Sequence, residues 1–351
     1  MLEKPNLEEE RIITCLQNEY GLGVDKILFL PLGADQETAV YHVMAIDKRE
    51  YFVKLRKGDI NKAVVSVPNY LNSIGIKQVI PSLTTQTGQF WANLDSFKVI
   101  LYPYVEGSNG FEEKMSEQQW IEFGRALKSF HTAVLPSERT RGIRRETFSP
   151  KWRETVRSHL SLIENKIFAD PVAVEMAAFL QEKGDETLEI IERAERLALA
   201  LQEKPPDFIL CHGDIHGWNL LIDVHGVLYL VDWDTLIYAP KERDLMFIGG
   251  GLGESGYTPE EEEAMFYQGY GQTNINQIAI VYYRYERIIE DIAVFCEQIF
   301  LSEEGGKDRK KSLGYLKSNY LPNSTIEVAR KSDKAMMDDQ AKVKKTTYLV
   351  A

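Results

Sequence analysis

The sequence predicts an α+β chain in two lobes, a β-rich N-terminal lobe followed by a mainly helical C-terminal one. Three observations carry this expectation. From Ile27 to Val105 the apolar residues fall in short β-branched or aromatic runs separated by turn-formers. Beyond Gly107 the apolar spacing becomes helical. One strand-like island, Phe208 to Asp234, interrupts the helical half. The 351 residues exceed the ~100–150 of a common domain. The N-lobe is expected over 1–105 and the C-lobe over 106–330. A tail at 331–351, of mixed charge and without periodicity, is expected to fray.

Taken in order, Leu7 to Tyr20 reads as a helix with Ile12, Ile13 and Leu16 on one face. The runs ILFLPLG, TAVYHVMAI, YFVKL and FKVILYPYV read as strands. Asn61 to Leu71 has helical length, but three valines weaken it and Pro68 interrupts it. Glu117–Ala133, Trp152–Ile167, Val172–Gln202, Pro259–Tyr270 and Gln277–Phe300 carry helical spacing.

Composition narrows the function. Against 41 Lys and Arg stand 53 Asp and Glu, a net charge of −12. That balance argues against nonspecific nucleic-acid or anionic-membrane binding and suits a small cationic substrate. No run approaches the ~18–20 apolar residues of a membrane span. The start, MLEKPNLEEERIITC, is acidic and lacks a basic stretch before an apolar core, so it is not expected to act as a signal peptide. Cys15, Cys211 and Cys296 form no CxxC pattern and read as reduced, buried thiols. A cytoplasmic protein is expected.

The chemistry concentrates in the island. Asp223-Val224-His225-Gly226 is turn chemistry between Leu220–Ile222 and Val227–Val231. Pairing Asp223 with Gly226 sets Asn219 opposite Leu230, beside Asp232. Asp214 enters the same end of the hairpin, five residues before Asn219. Hard oxygen donors of this kind suit Mg²⁺. Asp-x-x-x-x-Asn, a hairpin, then Asp is the spacing of phosphoryl-transfer machinery of the protein-kinase type. His212-x-Asp214-x-His216 leaves a second reading open, a metallohydrolase cluster.

CHGDIHGWN with LVDWD resembles the motif pair of the aminoglycoside phosphotransferases and related small-molecule kinases. SPKWRE, APKERDLMFIGGG and YYRYERIIEDIAV are similar to segments of the spectinomycin phosphotransferases among them. The resemblance implies a bilobal protein-kinase-like fold and transfer of phosphate from ATP (or GTP), with Mg²⁺, to a hydroxyl of a small cationic aminocyclitol. It implies Asp214 as catalytic base, Asn219 and Asp232 as metal ligands, and Asp244 as a buried structural carboxylate. Other small alcohols (homoserine, choline or a thiosugar) are alternative acceptors.

A nucleotide needs backbone donors over its phosphates, a lysine and an adenine hinge. The loop from Leu32 to Thr38, with Gly33, fits the cover, and Lys54 on an apolar strand fits the lysine. Pro103 and Val105 resemble the hinge, through a carbonyl and an amide. The family pairs its strand lysine with an acid on the next helix, yet none occurs between Asp59 and Asp95. Lys54 is therefore expected to lean on Asp59, Asp232 or the phosphates. The missing acid keeps a non-catalytic nucleotide-binding protein as a rival. On the acceptor side Asp234 shares the mouth with Asp232. Glu286 and Glu290 lie one turn apart on a helix flank, where a solvated face is the alternative.

Overall fold

Alternation of side chains organises the first sheet. The computed structural model describes residues 3–33, 37–250, 256–302 and 306–350. An opening helix α1 (Glu9–Tyr20) is followed by β1 (Val24–Leu30), β2 (Thr38–Ala45), β3 (Glu50–Lys57), α2 (Ala63–Ser73), β4 (Ala92–Leu94) and β5 (Phe97–Pro103). The strands form an antiparallel sheet in the order β1-β2-β3-β5-β4. The register sets Val40 and Ile100 on either side of Lys54. Strands have a period of two, so Tyr41, Val43, Val53, Leu55, Val99 and Leu101 share one face. They pack into a core with Ile12, Cys15 and Leu16 of α1. Full burial of each such side chain is worth ~1.5–3 kcal/mol. Thr38, Lys54 and Arg56 are left on the opposite face.

Pro68 does not break α2, against expectation. Proline costs a helix interior ~3 kcal/mol by withholding one amide donor. Here Ala63, Val65, Val67, Pro68 and Leu71 are all buried, and that burial offsets the loss.

The chain divides into two compact units that alternate along the sequence, 1–144 with 212–237 and 254–272, and 145–211 with 238–253 and 273–351. The first unit therefore runs past the boundary expected at 105 and takes in most of the β island. Its second sheet holds strands Gly107–Asn109, Leu220–Asp223 and Leu228–Leu230, with the middle range at the centre. Its helices Glu117–His131 and Pro259–Tyr270 pack together, and each starts with a capping box, Ser116 with Gln119 and Thr258 with Glu261.

The second unit is helical. Gln277–Phe300 is buried on most of its circumference and is packed by Lys151–Asn165, Gly184–Glu203, Gly306–Ser318 and Thr325–Val350. The single helix expected over Val172–Gln202 is two, Pro171–Glu182 and Gly184–Glu203, which part at Lys183. The helix Thr325–Val350 runs through the tail expected at 331–351, and Asp333 and Met336 at its start are buried. Arg193 clasps Asp333 with two hydrogen bonds of 2.7 and 2.6 Å. Its anchors are few and partly polar, which hid them in the pattern.

Candidate active site

Every group of this site described below, from Thr38 to Asp234, belongs to the first unit. A short strand, Ile209–Cys211, feeds a loop at His212. Gly213 turns that loop at φ 87°, and a Cβ there would lie 2.5 Å from the Thr235 carbonyl oxygen. Only glycine meets both demands cheaply. Asp214 follows, and a 3-10 turn, Gly217–Asn219, delivers Asn219 to the hairpin. The Asn219 side-chain amide donates to the Asp214 carbonyl at 2.7 Å, which ties the two ends of the loop together.

The hairpin register differs from expectation by one residue. Asp223 closes on Val227, not Gly226, with its amide 2.9 Å from the Val227 carbonyl. A three-residue loop fits because Gly226 takes φ 82° and the Asp223 carboxylate accepts from His225 and Val227 amides. Asn219 therefore sits opposite Val231, whose amide donates to its carbonyl at 3.0 Å. The shift brings Asn219 still nearer Asp232. Asp232 itself holds φ 60°, ψ 70°, a left-handed conformation uncommon outside glycine.

Lys54 finds its acids here. Its ammonium donates to Asp232 Oδ1 at 2.9 Å and to Asp234 Oδ2 at 2.8 Å. Asp59, the other expected partner, is fully exposed and lies 3.7 Å from Lys98 instead. Lys62, which stands where an acid was sought, holds its ammonium 5.2 Å from the Phe90 ring centre. Burial works against the Lys54 charge, but Asp232 and then Asp234 outweigh it and raise its pKa. Burial likewise opposes the Asp232 charge, yet Lys54 prevails and the pKa is lowered. About half of the Asp232 side chain (51%) still meets solvent, against 11% for Lys54. Solvent screening therefore keeps the net worth of the pair near that of a surface bridge, ~1 kcal/mol.

Asp234, expected to face an acceptor, is also held by two cations. Besides Lys54 it accepts from Arg56 at 2.8 Å, and Arg56 also donates to the Thr38 hydroxyl at 3.1 Å. Sequence reasoning missed Arg56. Its signal was the two-residue step from Lys54, which puts both cations on one strand face. Gly33 is in the left-handed region at φ 81°, while residues 34–36 of the covering loop lie outside the described residues. Pro103 ends β5 opposite Tyr51, and Val105 is partly buried just beyond.

The histidines separate into two kinds. His212 is fully buried, lies tilted against Trp233 and places Nε2 3.0 Å from the Val231 carbonyl, so it braces the loop. Among the described residues, His212, Asp214 and His216 are not a group whose ligand atoms converge. The metallohydrolase reading loses its basis.

The remaining candidates belong to the second unit. Glu286 is interior rather than on a solvated flank, because the Arg153 guanidinium binds it directly. Arg153 also donates to the Phe148 and Ser149 carbonyls, each at 3.1 Å. Burial pushes Glu286 up to about 7, with Arg153 pulling it back only in part. Glu290 accepts from Arg243 at 3.4 Å. Asp244 is fully buried in the short helix Glu242–Leu245.

The fit of a divalent cation can be judged from the donors. Asn219 commits its amide nitrogen to Asp214, which leaves its side-chain oxygen as the acceptor. Asp232 gives Oδ1 to Lys54 and keeps a partly exposed carboxylate. Two hard oxygens beside a negatively charged loop fit Mg²⁺.

The phosphotransferase enzyme family matches residues 29–283. The structure of spectinomycin phosphotransferase APH(9)-Ia, in complex with ADP and spectinomycin, superposes with a TM-score of 0.85 at 32% identity, covering 94% of this chain and 99% of that one. Its AMP-bound complex gives a TM-score of 0.80 at 32% identity, over 91% and 97% of the two chains. Choline kinase LicA from Streptococcus pneumoniae shares the fold at a TM-score of 0.55 and 16% identity, over 92% and 99%. No curated protein matches the chain.

Proposed function

The chain belongs to the phosphotransferase enzyme family, whose members act on hydroxyl groups, and on that premise we propose that it phosphorylates a small cationic aminocyclitol such as spectinomycin from ATP with Mg²⁺. The observation that carries the reading is the meeting of Lys54 with Asp232 beside the Asp214–Asn219 loop. The acid missing after Lys54 was the motive for a non-catalytic reading. Asp232 and Asp234 supply that negative charge from another part of the chain, which removes the motive.

In this reading Asp214 orients the acceptor hydroxyl and takes its proton as oxygen attacks the γ-phosphorus and the bond to ADP breaks. Lys54 holds the phosphates in line. Asn219 and Asp232 would hold magnesium, which when bound neutralises charge on the phosphates. Gly33 and Thr38 border the loop over the phosphates, and Pro103 and Val105 present carbonyl and amide to the adenine. Asp244 stiffens the interior. Asp234 holds Lys54 and Arg56 and would meet an acceptor ammonium with its remaining exposed surface, whereas Glu286 is committed to Arg153 and Glu290 contacts Arg243.

The test is γ-labelled ATP with magnesium against a panel of aminocyclitols, aminoglycosides and amino alcohols. Label on spectinomycin or a close aminocyclitol is expected, and transfer only to choline or homoserine would move the substrate class. Asp214→Ala should abolish transfer while ATP still binds. Near-normal turnover in that variant refutes the assignment of the base.

A further inference from the structure

The loop that carries Asp214 contains a second histidine ring, and a backbone amide engages one of its two nitrogens. His216 is the N-cap of the 3-10 turn Gly217–Asn219, and its Nδ1 accepts the Trp218 amide at 3.2 Å. A nitrogen that accepts an N–H carries no proton of its own. The proton of the neutral ring therefore sits on Nε2. That atom lies 3.4 Å from Asp214 Oδ2, and both side chains are about four-fifths buried.

The turn has little freedom to carry the ring elsewhere. The Gly110 amide donates to the Gly217 and Leu220 carbonyls, each at 2.9 Å. The Phe111 ring lies over the turn, with centroids 6.4 Å from His216 and 5.7 Å from Trp218. A Cβ on Gly217 would come within 2.9 Å of Phe111. The ring is thus clamped by its cap on one side and by Phe111 and Gly110 around it.

We propose that His216 is a positioning residue for the catalytic carboxylate, its Nε2–H holding Asp214 Oδ2 so that the carboxylate plane is set before an acceptor arrives. Fixing Oδ2 fixes the direction in which Oδ1 presents its lone pairs to the acceptor hydroxyl. Separations between catalytic groups are commonly long in ligand-free enzymes and tighten in the loaded site. The role needs a neutral donor in one tautomer, and the Trp218 amide selects it. A lysine could reach the carboxylate but would not be locked by the cap. The catalytic consequence rests on the phosphotransferase reading, but the tautomer does not.

Two measurements on the whole chain test this. The first is two-bond ¹⁵N–¹H correlation of the His216 ring, expected to show protonated Nε2 and bare Nδ1. A ring protonated on Nδ1 overturns the proposal, whatever the acceptor proves to be. The second separates the cap from the clamp. Asparagine caps a helical turn as well as histidine does here but cannot reach Asp214. His216→Asn should keep the melting temperature and the KM for ATP, while kcat falls roughly 10- to 100-fold, the scale of a small misplacement. His216→Gln, whose amide can still donate to Asp214, should recover part of that loss. Unchanged kcat in His216→Asn, or a loss in KM and stability alone, shows a cap and nothing more. If the wild-type chain phosphorylates none of the acceptors, the functional reading falls, and the tautomer still decides the geometry.

Discussion

Two clusters of opposite charge in this molecule look alike in sequence and differ in kind. One joins Lys54 and Arg56 to Asp232 and Asp234, and the other joins Arg153 to Glu286. In the first, half of the Asp232 side chain meets water (51%). In the second, the two side chains are 2% and 6% exposed. The pKa directions follow. Lys54 overcomes burial at Asp232 and lowers its pKa, whereas burial overcomes Arg153 at Glu286 and raises it to about 7. An ion pair left open to solvent can trade a partner for a ligand. A sealed pair can only hold elements together.

The largest expected effect tests the sealed pair. Arg153→Met strands a buried carboxylate and should cost ~3–5 kcal/mol in urea unfolding. Lys54→Met, measured in the same way without ligand, should cost ~1 kcal/mol or less. Equal losses would erase the distinction. Next in size is turnover. Lys54→Met should lower kcat by ~10²–10³, the scale for one preorganised phosphate donor. A variant with normal phosphotransfer would make the open cluster structural too.

A smaller effect concerns pH. Glu286 has a folded pKa of about 7 above its ordinary 4.5, so the folded chain binds the proton more tightly than the unfolded one. Its contribution is fully present below about pH 4.5 and is lost as pH rises through about 7. With one pKa unit worth ~1.4 kcal/mol, the rise from 4.5 to about 7 makes the decline roughly 3 kcal/mol. Glu286→Gln should flatten it, and urea midpoints at acid and neutral pH read the slope. A wild-type slope of the opposite sign would mean that Arg153 dominates. The smallest effect belongs to Arg56→Ala, which should change stability by ~0.5 kcal/mol, because Asp234 keeps Lys54. A loss of several kcal/mol there would move the open cluster toward the sealed kind.

What the sequence disclosed depended on the range of the interaction. The strands that became β1, β2, β3 and β5 declare themselves through a period of two, and Asp214, Asn219 and Asp232 through spacing across one hairpin. The hairpin register escaped by one residue because Gly226 admits a three-residue loop as readily as a two-residue one. The absence of an acid on the next helix left Asp232, 178 residues away, among the expected partners of Lys54, and the structure bears that out. Asp234, 180 residues away, was not named as a second partner, because no local periodicity points to it. The burial of Glu286 was hidden for the same reason, since Arg153 is 133 residues distant. Pro68 shows the converse, a local rule overruled by tertiary burial.

Asp232 adds a consequence of its own. Its backbone lies in the left-handed region at φ 60°, which costs an ordinary residue roughly 1–2 kcal/mol and glycine almost nothing. A chain selected for endurance alone would carry glycine there. Asp232→Gly is accordingly expected to melt no lower than the wild type, and to lose phosphotransfer altogether. The loop thus marks a place where heat resistance and activity pull in opposite directions, and where attempts to harden the protein should leave the residue alone.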